Sequence, residues 1–334
     1  MPDLILRIPL KDRVEVLETL ASRAGMTPGV LEKDIWVCWA LQAVFGMPDR
    51  LPLAFKGGTS LSKVYAAIHR FSEDIDLTID YTALSEGVDP LTTVMSRTAI
   101  AKLSDTLRLK VAQHVRDVIA PYVAKTGAEM LGVELGMAFS DNGEELRVSY
   151  PSAFATRKSY VEDSVLLEFG GRNTTLPNET HLIVPYAAAH TENLEFPKAE
   201  VVVLSPRRSF WEKATMIHAE CHRPAREEGA GPERISRHWY DLAMLAEQEI
   251  GLAAIADRDL LADVVRLKGI FYRSGFANYE ACVGGHFRLV PDQPLRATLA
   301  RDYAAMVSEG MFFNEPPSFD EIMARLERLE AQLN

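Results

Sequence analysis

Residues 70–80, Arg-Phe-Ser-Glu-Asp-Ile-Asp-Leu-Thr-Ile-Asp, constrain the fold more than any other stretch. Ile75, Leu77 and Ile79 alternate strictly with Asp74, Asp76 and Thr78. In an extended chain successive side chains point to opposite faces, so this pattern predicts a half-buried strand with its acids on one side. Just upstream, the short apolar run 51–56 leads into Gly57-Gly58, which reads as a strand entering a tight turn, and Thr59 to His69 reads as a short helix.

The rest of the chain surrounds that unit with helices and further strands. Val14, Leu17, Leu20 and Ala21 predict a helix over 13–24. Thr27-Pro28 is an N-cap followed by Pro at the first helical position. It opens a helix that runs to Phe45, stops at Gly46 and Pro48, and carries Leu31, Ile35, Trp39 and Val44 on its apolar face. Trp36 and Trp39 are expected in the core. Residues 95–125 read as helical with a break or kink at Pro121. Strands are expected at 147–150, 164–169, 181–184 and 199–204, and helices from Phe210 to a last one at Phe319–Leu333. Arg223 to Arg234, rich in Gly, Pro and charge, reads as a mobile loop. At about 150 residues per domain, 334 residues make one large domain or two ordinary ones.

Composition removes some functions. With 47% hydrophobic and 25% charged residues the chain is globular rather than disordered. A net charge of −11 argues against a protein that coats duplex DNA, so any nucleic-acid contact is local. Cys38, Cys221 and Cys282 match neither a disulfide framework nor a zinc pattern, which suits a reducing cytoplasm. No apolar core of a signal peptide precedes Lys11-Asp12-Arg13, and the most apolar stretch, Ile35 to Phe45, has roughly half the length of a membrane span.

Asp74 and Asp76, two apart on a strand, point the same way and can hold one divalent cation jointly. Mg2+ takes one or two carboxylates plus phosphate oxygens and water. The Gly57-Gly58 turn allows close backbone approach and, at a helix start, suits an anion. Together these point to phosphoryl or nucleotidyl transfer. Aspartates alternating on the wet face of an edge strand give the same pattern without a metal. Glu168, at the end of an apolar run, is a candidate third carboxylate, or simply a polar residue at a strand edge.

Ser209 and Glu212 have capping-box spacing, which would place Lys213 in a first helical turn, where a cation is disfavoured unless an anion is near. Further on, Trp239, Leu242, Ala243 and Ala246 predict a buried helical stripe. Asp241 then lies beside Arg237 and His238, where it could orient Lys213, act as a base or form a surface pair with Arg237. His218, Cys221 and His222 do not follow the His-Glu-x-x-His order of a zincin. They fit better in a basic surface with Arg207, Arg208, Lys213, Arg223 and Arg226, able to hold phosphates.

These blocks, taken in order, resemble the AbiEii/MenT nucleotidyltransferase-like toxins of type IV toxin–antitoxin systems. The resemblance runs from Glu32-Lys33-Asp34 through Phe55-Lys56-Gly57-Gly58-Thr59-Ser60-Leu61-Ser62-Lys63 and the Arg70–Leu77 block. It continues in Trp211-Glu212-Lys213 and Arg237-His238-Trp239-Tyr240-Asp241-Leu242, and closes in Asp302–Met306 and Pro317-Ser318-Phe319. It implies an α+β protein of two lobes with the site in the cleft between them. A nucleotidyltransferase-type mixed sheet would occupy 1–205, as helices over 1–50 and the catalytic sheet over 51–205. A mostly helical lobe would occupy 206–334. It implies transfer of a nucleoside monophosphate from an NTP, with Mg2+, to an RNA acceptor such as the tRNA 3′ end, with growth inhibition or phage defence as outcome. A cognate antitoxin is an implied partner, acting directly or only on expression. Carried over by position, Ser72, Asp74, Lys213 and Asp241 are catalytic; Gly57, Gly58, Ser60 and Lys63 contact the nucleotide phosphates; Asp74, Asp76 and Glu168 hold the metal, Glu168 being the weakest match. The same chemistry on a small molecule or a protein hydroxyl, and a non-catalytic NTP-binding partner of an antitoxin, are the competing readings.

Overall fold

The first two helices start and stop where their end residues dictate. In the computed structural model, which describes residues 3–132, 134–154, 162–224 and 234–334, helix α1 spans Leu10–Ala24 and α2 spans Pro28–Phe45. The Thr27 hydroxyl accepts from the Val30 amide at 3.4 Å, and Pro28 occupies the first helical position. Buried almost all round, α2 packs Trp36 flat against Tyr150 and edge-on to Trp39.

The chain divides into two compact units. The first comprises Met1–Val64, Ser72–Val88 and Lys102–Val203. Its strands are β1 (Leu53–Lys56), β2 (Ile75–Asp80), β3 (Gly136–Phe139), β4 (Glu145–Ser149), β5 (Ser164–Asn173), β6 (Asn178–Ile183) and β7 (Ala199–Leu204). Among the described residues they form a seven-stranded mixed sheet in the order β3-β4-β5-β2-β1-β7-β6. β2 runs antiparallel to β1 and parallel to β5, at the middle of the sheet. That position corrects the expectation of a half-buried strand: Thr78, on the face assigned to water, is fully buried, and only Asp76 is partly open. Central strands are covered on both faces, and alternation alone does not reveal the second cover. The strand also begins only at Ile75, so Asp74 precedes it.

Helix α3 follows β1 directly and spans only Gly57–Lys63, not the expected reach to His69. Helix α4 (Arg97–His114) continues through a π turn at Val115–Ile119 into α5 (Ala120–Leu131). The π turn sits just before Pro121, which has no amide hydrogen and excludes the carbonyl four residues back; a wider turn accommodates both defects. At Gly171 on β5, an added Cβ would lie 2.4 Å from Val111 and 2.7 Å from Leu84, so the missing side chain lets α4 seat closely on the sheet.

The second unit comprises Tyr65–Phe71, Asp89–Ala101 and Leu204–Asn334. Its start at Leu204 lies two residues from the expected boundary, but it also takes two segments from the first third of the chain. Its longer helices are α6 (Pro206–Cys221), α7 (Ser236–Ala246), α8 (Glu249–Ala256), α9 (Arg258–Phe271), α10 (Gln293–Ser308) and α11 (Phe319–Leu333). Two tryptophans tie its core through their indole N–H groups: Trp211 donates to Ala254 O at 3.0 Å, and Trp239 to Leu289 O at 3.1 Å. The capping box of α11 is complete, with Ser318 and Glu321 bonding each other's amides. Within the stretch 223–234 read as a loop, residues 225–233 lie outside the described residues.

Candidate active site

In the first unit the glycine turn and the acidic strand are in contact. Gly57 has φ +79°, and a Cβ there would lie 1.8 Å from Asp76 Oδ2. The Asp76 carboxylate therefore occupies the space that a side chain at position 57 would fill, which only glycine permits. Strand register carries the contact sideways. Asp76 is opposite Lys56 on β1 and opposite Glu168 on β5, and Glu168 is opposite Glu145 on β4. Direct partners share a face, so these four charges form one row across the sheet.

Thr59 locks the approach to that row. Its hydroxyl donates to Asp74 O at 2.6 Å and lies 3.0 Å from Ser72 Oγ, fixing the segment that carries Ser72 and Asp74. Burial, the charges of Asp76 and Asp74, and a hydrogen bond with Asp76 push the Glu168 carboxyl up to about 8. A divalent cation would relieve the same crowding of acids. The donors are carboxylate oxygens, the hard ligands that suit Mg2+. Among the described residues no group of three or more His, Cys, Asp or Glu is placed to hold a metal ion. A nucleotide-bound Mg2+ does not need one, because phosphate oxygens and water fill the remaining positions. Asp76, with Glu168 beside it in register, offers the one or two carboxylates that such an ion takes.

In the second unit Lys213 and Asp241 meet. Lys213 Nζ lies 2.9 Å from Asp241 Oδ2. Asp241 is fully buried and also takes the Arg70 fork: Nε donates to Oδ1 at 2.7 Å and Nη2 to Oδ2 at 2.9 Å. Burial alone would raise this carboxyl, but Arg70 and then Lys213 outweigh it and hold it far below the usual carboxylate range. His238, one helical turn before Asp241, is held neutral by burial and by the charges of Lys213 and Arg237.

Comparison with known proteins decides the lineage. Residues 39–325 match the family model described as nucleotidyl transferase AbiEii toxin, type IV TA system. The chain belongs to the AbiEii toxin family. Among solved structures, MenT4, the nucleotidyltransferase toxin Rv2826c from Mycobacterium tuberculosis H37Rv, is 18% identical; the alignment covers 95% of this chain and 89% of that one, with a TM-score of 0.48. No curated protein sequence matches. As an AbiEii-family protein the chain is a nucleotidyltransferase toxin that uses an NTP, and its system includes a cognate antitoxin. No helix among the described residues is long and apolar enough to cross a membrane.

In this AbiEii chain several expected phosphate contacts are instead buried. Ser60, expected on phosphate, is fully buried and donates to Gly57 O at 2.9 Å. Lys63, expected there too, is buried in an ion pair with Asp34 at 2.5 Å and lies over the Tyr186 ring. Helix α6 begins at Pro206 rather than at Ser209, because Pro206 is preset for a first turn. Lys213 is thus inside the helix, and its position is explained by Asp241 rather than by the helix dipole. With two cations on its carboxylate, Asp241 is no base at neutral pH, and its full burial excludes a surface pair with Arg237. Among the described residues the arginines of the expected basic surface are each paired with an acid. Arg208 is buried between Glu212 and Asp263, Arg207 faces Asp257, Arg223 faces Glu220, and Arg226 lies outside the described residues. His218 is buried with both ring nitrogens engaged, Nδ1 accepting from the Arg288 amide and Nε2 meeting Asn278 O.

Sequence reasoning missed Thr59, Arg70 and the supports from α2. Glu32 accepts from Ser152 Oγ at 2.7 Å and from the Ala153 amide at 2.9 Å. Lys33 pairs with Glu73 at 3.1 Å and donates to the carbonyls of Glu162 and Ser164. Asp34 holds Lys63 and accepts from the Tyr186 amide at 2.7 Å. The signal was present: three consecutive charges inside a helix apolar enough to be buried almost all round need internal partners.

Proposed function

We propose that this AbiEii-family chain transfers a nucleoside monophosphate from an Mg2+–NTP to an RNA acceptor, the tRNA 3′ end being the foremost candidate. The acceptor hydroxyl oxygen bonds to the α-phosphorus, the bond from that phosphorus to the β-phosphate bridging oxygen breaks, and pyrophosphate leaves. The hydroxyl proton passes to solvent. In this reading Asp74 and Asp76 would hold Mg2+, with Glu168 beside Asp76, and the ion would neutralise charge on the phosphates. Gly57 and Gly58 give the phosphates close access to backbone. Lys213 supplies positive charge to the transferred or leaving phosphate, and Asp241 holds Lys213 in place. Ser72 binds phosphate or is itself modified. The observation that carries the reading is the Asp76 carboxylate seated on Gly57 with Glu168 beside it in register.

A second reading keeps the chemistry and changes the acceptor to a small-molecule or protein hydroxyl. The net charge of −11, and the pairing of the α6 arginines with their own acids, favour it. One assay separates the two: each of the four NTPs, labelled at the α-phosphate, is incubated with the protein and total cellular RNA. Label in tRNA-sized RNA, abolished in Asp74→Ala, is the expected result. Label only in protein or small-molecule fractions supports the second reading. An Asp74→Ala chain that transfers at the wild-type rate overturns both.

A further inference from the structure

Asp241 carries more positive charge than it needs. Its carboxylate is fully buried, and the Arg70 fork alone occupies both oxygens, with contacts of 2.7 and 2.9 Å. Lys213 adds a second cation at 2.9 Å on an oxygen already engaged. One anion between two cations leaves the trio with one net positive charge. His238 beside them is held neutral, and Arg237, whose charge also reaches His238, adds to the positive side rather than cancelling it. Lys213 keeps 10% of its side chain exposed, against 4% for Arg70 and none for Asp241, so the surplus charge is presented through the lysine.

We infer that Arg70 is a positioning residue: by neutralising Asp241 it leaves the Lys213 ammonium fixed in place yet electrostatically available to phosphate. Without Arg70, Asp241 and Lys213 would form a closed neutral pair with little attraction for a triphosphate. The inference rests on the reading of Lys213 as the phosphate-facing cation.

Charge counting gives the test. Arg70→Met leaves the cluster neutral, whereas Arg70→Met combined with Asp241→Asn restores one positive charge on Lys213. The probe is inorganic tripolyphosphate with Mg2+, titrated calorimetrically into the full chain, with KM and kcat for nucleotidyl transfer measured alongside. Arg70→Met is expected to weaken binding about tenfold, the double variant to bind at least about threefold more tightly than Arg70→Met, and Lys213→Met to lose binding as Arg70→Met does or more. Recovery in the double variant is a result that a purely structural role for Arg70 does not produce. Should Arg70→Met fail to fold, Arg70→Lys and the double variant carry the test, since neither leaves Asp241 as a buried charge with Lys213 alone; both are expected to bind tripolyphosphate at least about threefold more tightly than Lys213→Met. Unchanged binding in Arg70→Met, or a double variant as weak as Lys213→Met, overturns the inference. Wild type that transfers nucleotide while Arg70→Met keeps its KM also overturns it and leaves the proposed function standing. Charge-dependent tripolyphosphate binding without any transfer does the reverse.

Discussion

Gly57 is where residue chemistry bears most directly on the site. Both its positive φ and the Asp76 oxygen above it exclude a side chain. Gly57→Ala is therefore expected to push Asp76 away from its present place. A displacement near 1 Å in a reacting group costs about a hundredfold in rate, so transfer should fall at least that far, while the strained backbone costs only about 1–3 kcal/mol of stability. Measuring turnover and urea unfolding on the same preparation checks this; retained activity would show that Asp76 does not need that seat. The Gly-Gly pair and the two aspartates were legible from spacing alone. Thr59 was not, because its partners, Ser72 and the Asp74 carbonyl, lie 13 and 15 residues away and only the return of the chain brings them to it.

At the scale of elements, α2 is the internal support of the first unit. Its Glu32, Lys33 and Asp34 reach three separate parts of the chain. Asp34→Asn would leave the Lys63 ammonium buried without its counter-charge, although that pairing holds the lysine above its ordinary value despite burial. Removing one member of a buried pair costs about 3–5 kcal/mol, whereas replacing both Asp34 and Lys63 with apolar residues should cost much less. Chemical denaturation of the single and double variants distinguishes these outcomes. Helix α6 offers a pH signal. Burial, then repulsion from His222, lowers His218 from 6.5 to about 4, so the folded chain holds it neutral while the unfolded chain protonates it near 6.5. The unfolded state then binds more protons between about pH 4 and 6.5. The contribution of His218 is present above pH 6.5 and lost as pH falls toward 4, on the order of 2–3 kcal/mol. Unfolding midpoints across that window should show the loss in wild type and a flatter profile in His218→Gln; equal slopes would remove His218 as the cause. Helix ends at Thr27, Gly46 and Ser318 could be read from local rules, because a cap needs only its near neighbours. The start of α6 was misread for a local reason too: Ser209 with Glu212 looks like an opening, but Pro206 upstream is already preset for the first turn and takes it.

At the scale of the whole molecule, the second unit is not one continuous stretch of sequence. It includes Tyr65–Phe71, from which the Ala67 carbonyl accepts from Gln248 Nε2 at 2.7 Å, the His69 amide donates to the Tyr240 hydroxyl at 3.3 Å, and Arg70 holds Asp241. A fragment of residues 204–334 lacks all three ties and leaves the Asp241 carboxylate buried with Lys213 alone. It is expected to show no cooperative unfolding transition by circular dichroism or calorimetry, while the full chain does. A sharp transition in the fragment would show that the early segment is dispensable for folding.

The sequence by itself determined the α+β class, the acidic strand, the glycine turn before it and the order of blocks that marks the family. Each of these is written in neighbouring residues, where periodicity and turn chemistry act over a few positions. Tertiary structure alone decided that β2 lies at the middle of the sheet, that Glu168 faces Asp76, and that Asp241 belongs to Arg70 and Lys213 rather than to Arg237. Those outcomes depend on which strand pairs with which and on which charges lose their water together. Such partners are as much as 171 residues apart, and nothing local in either one names the other.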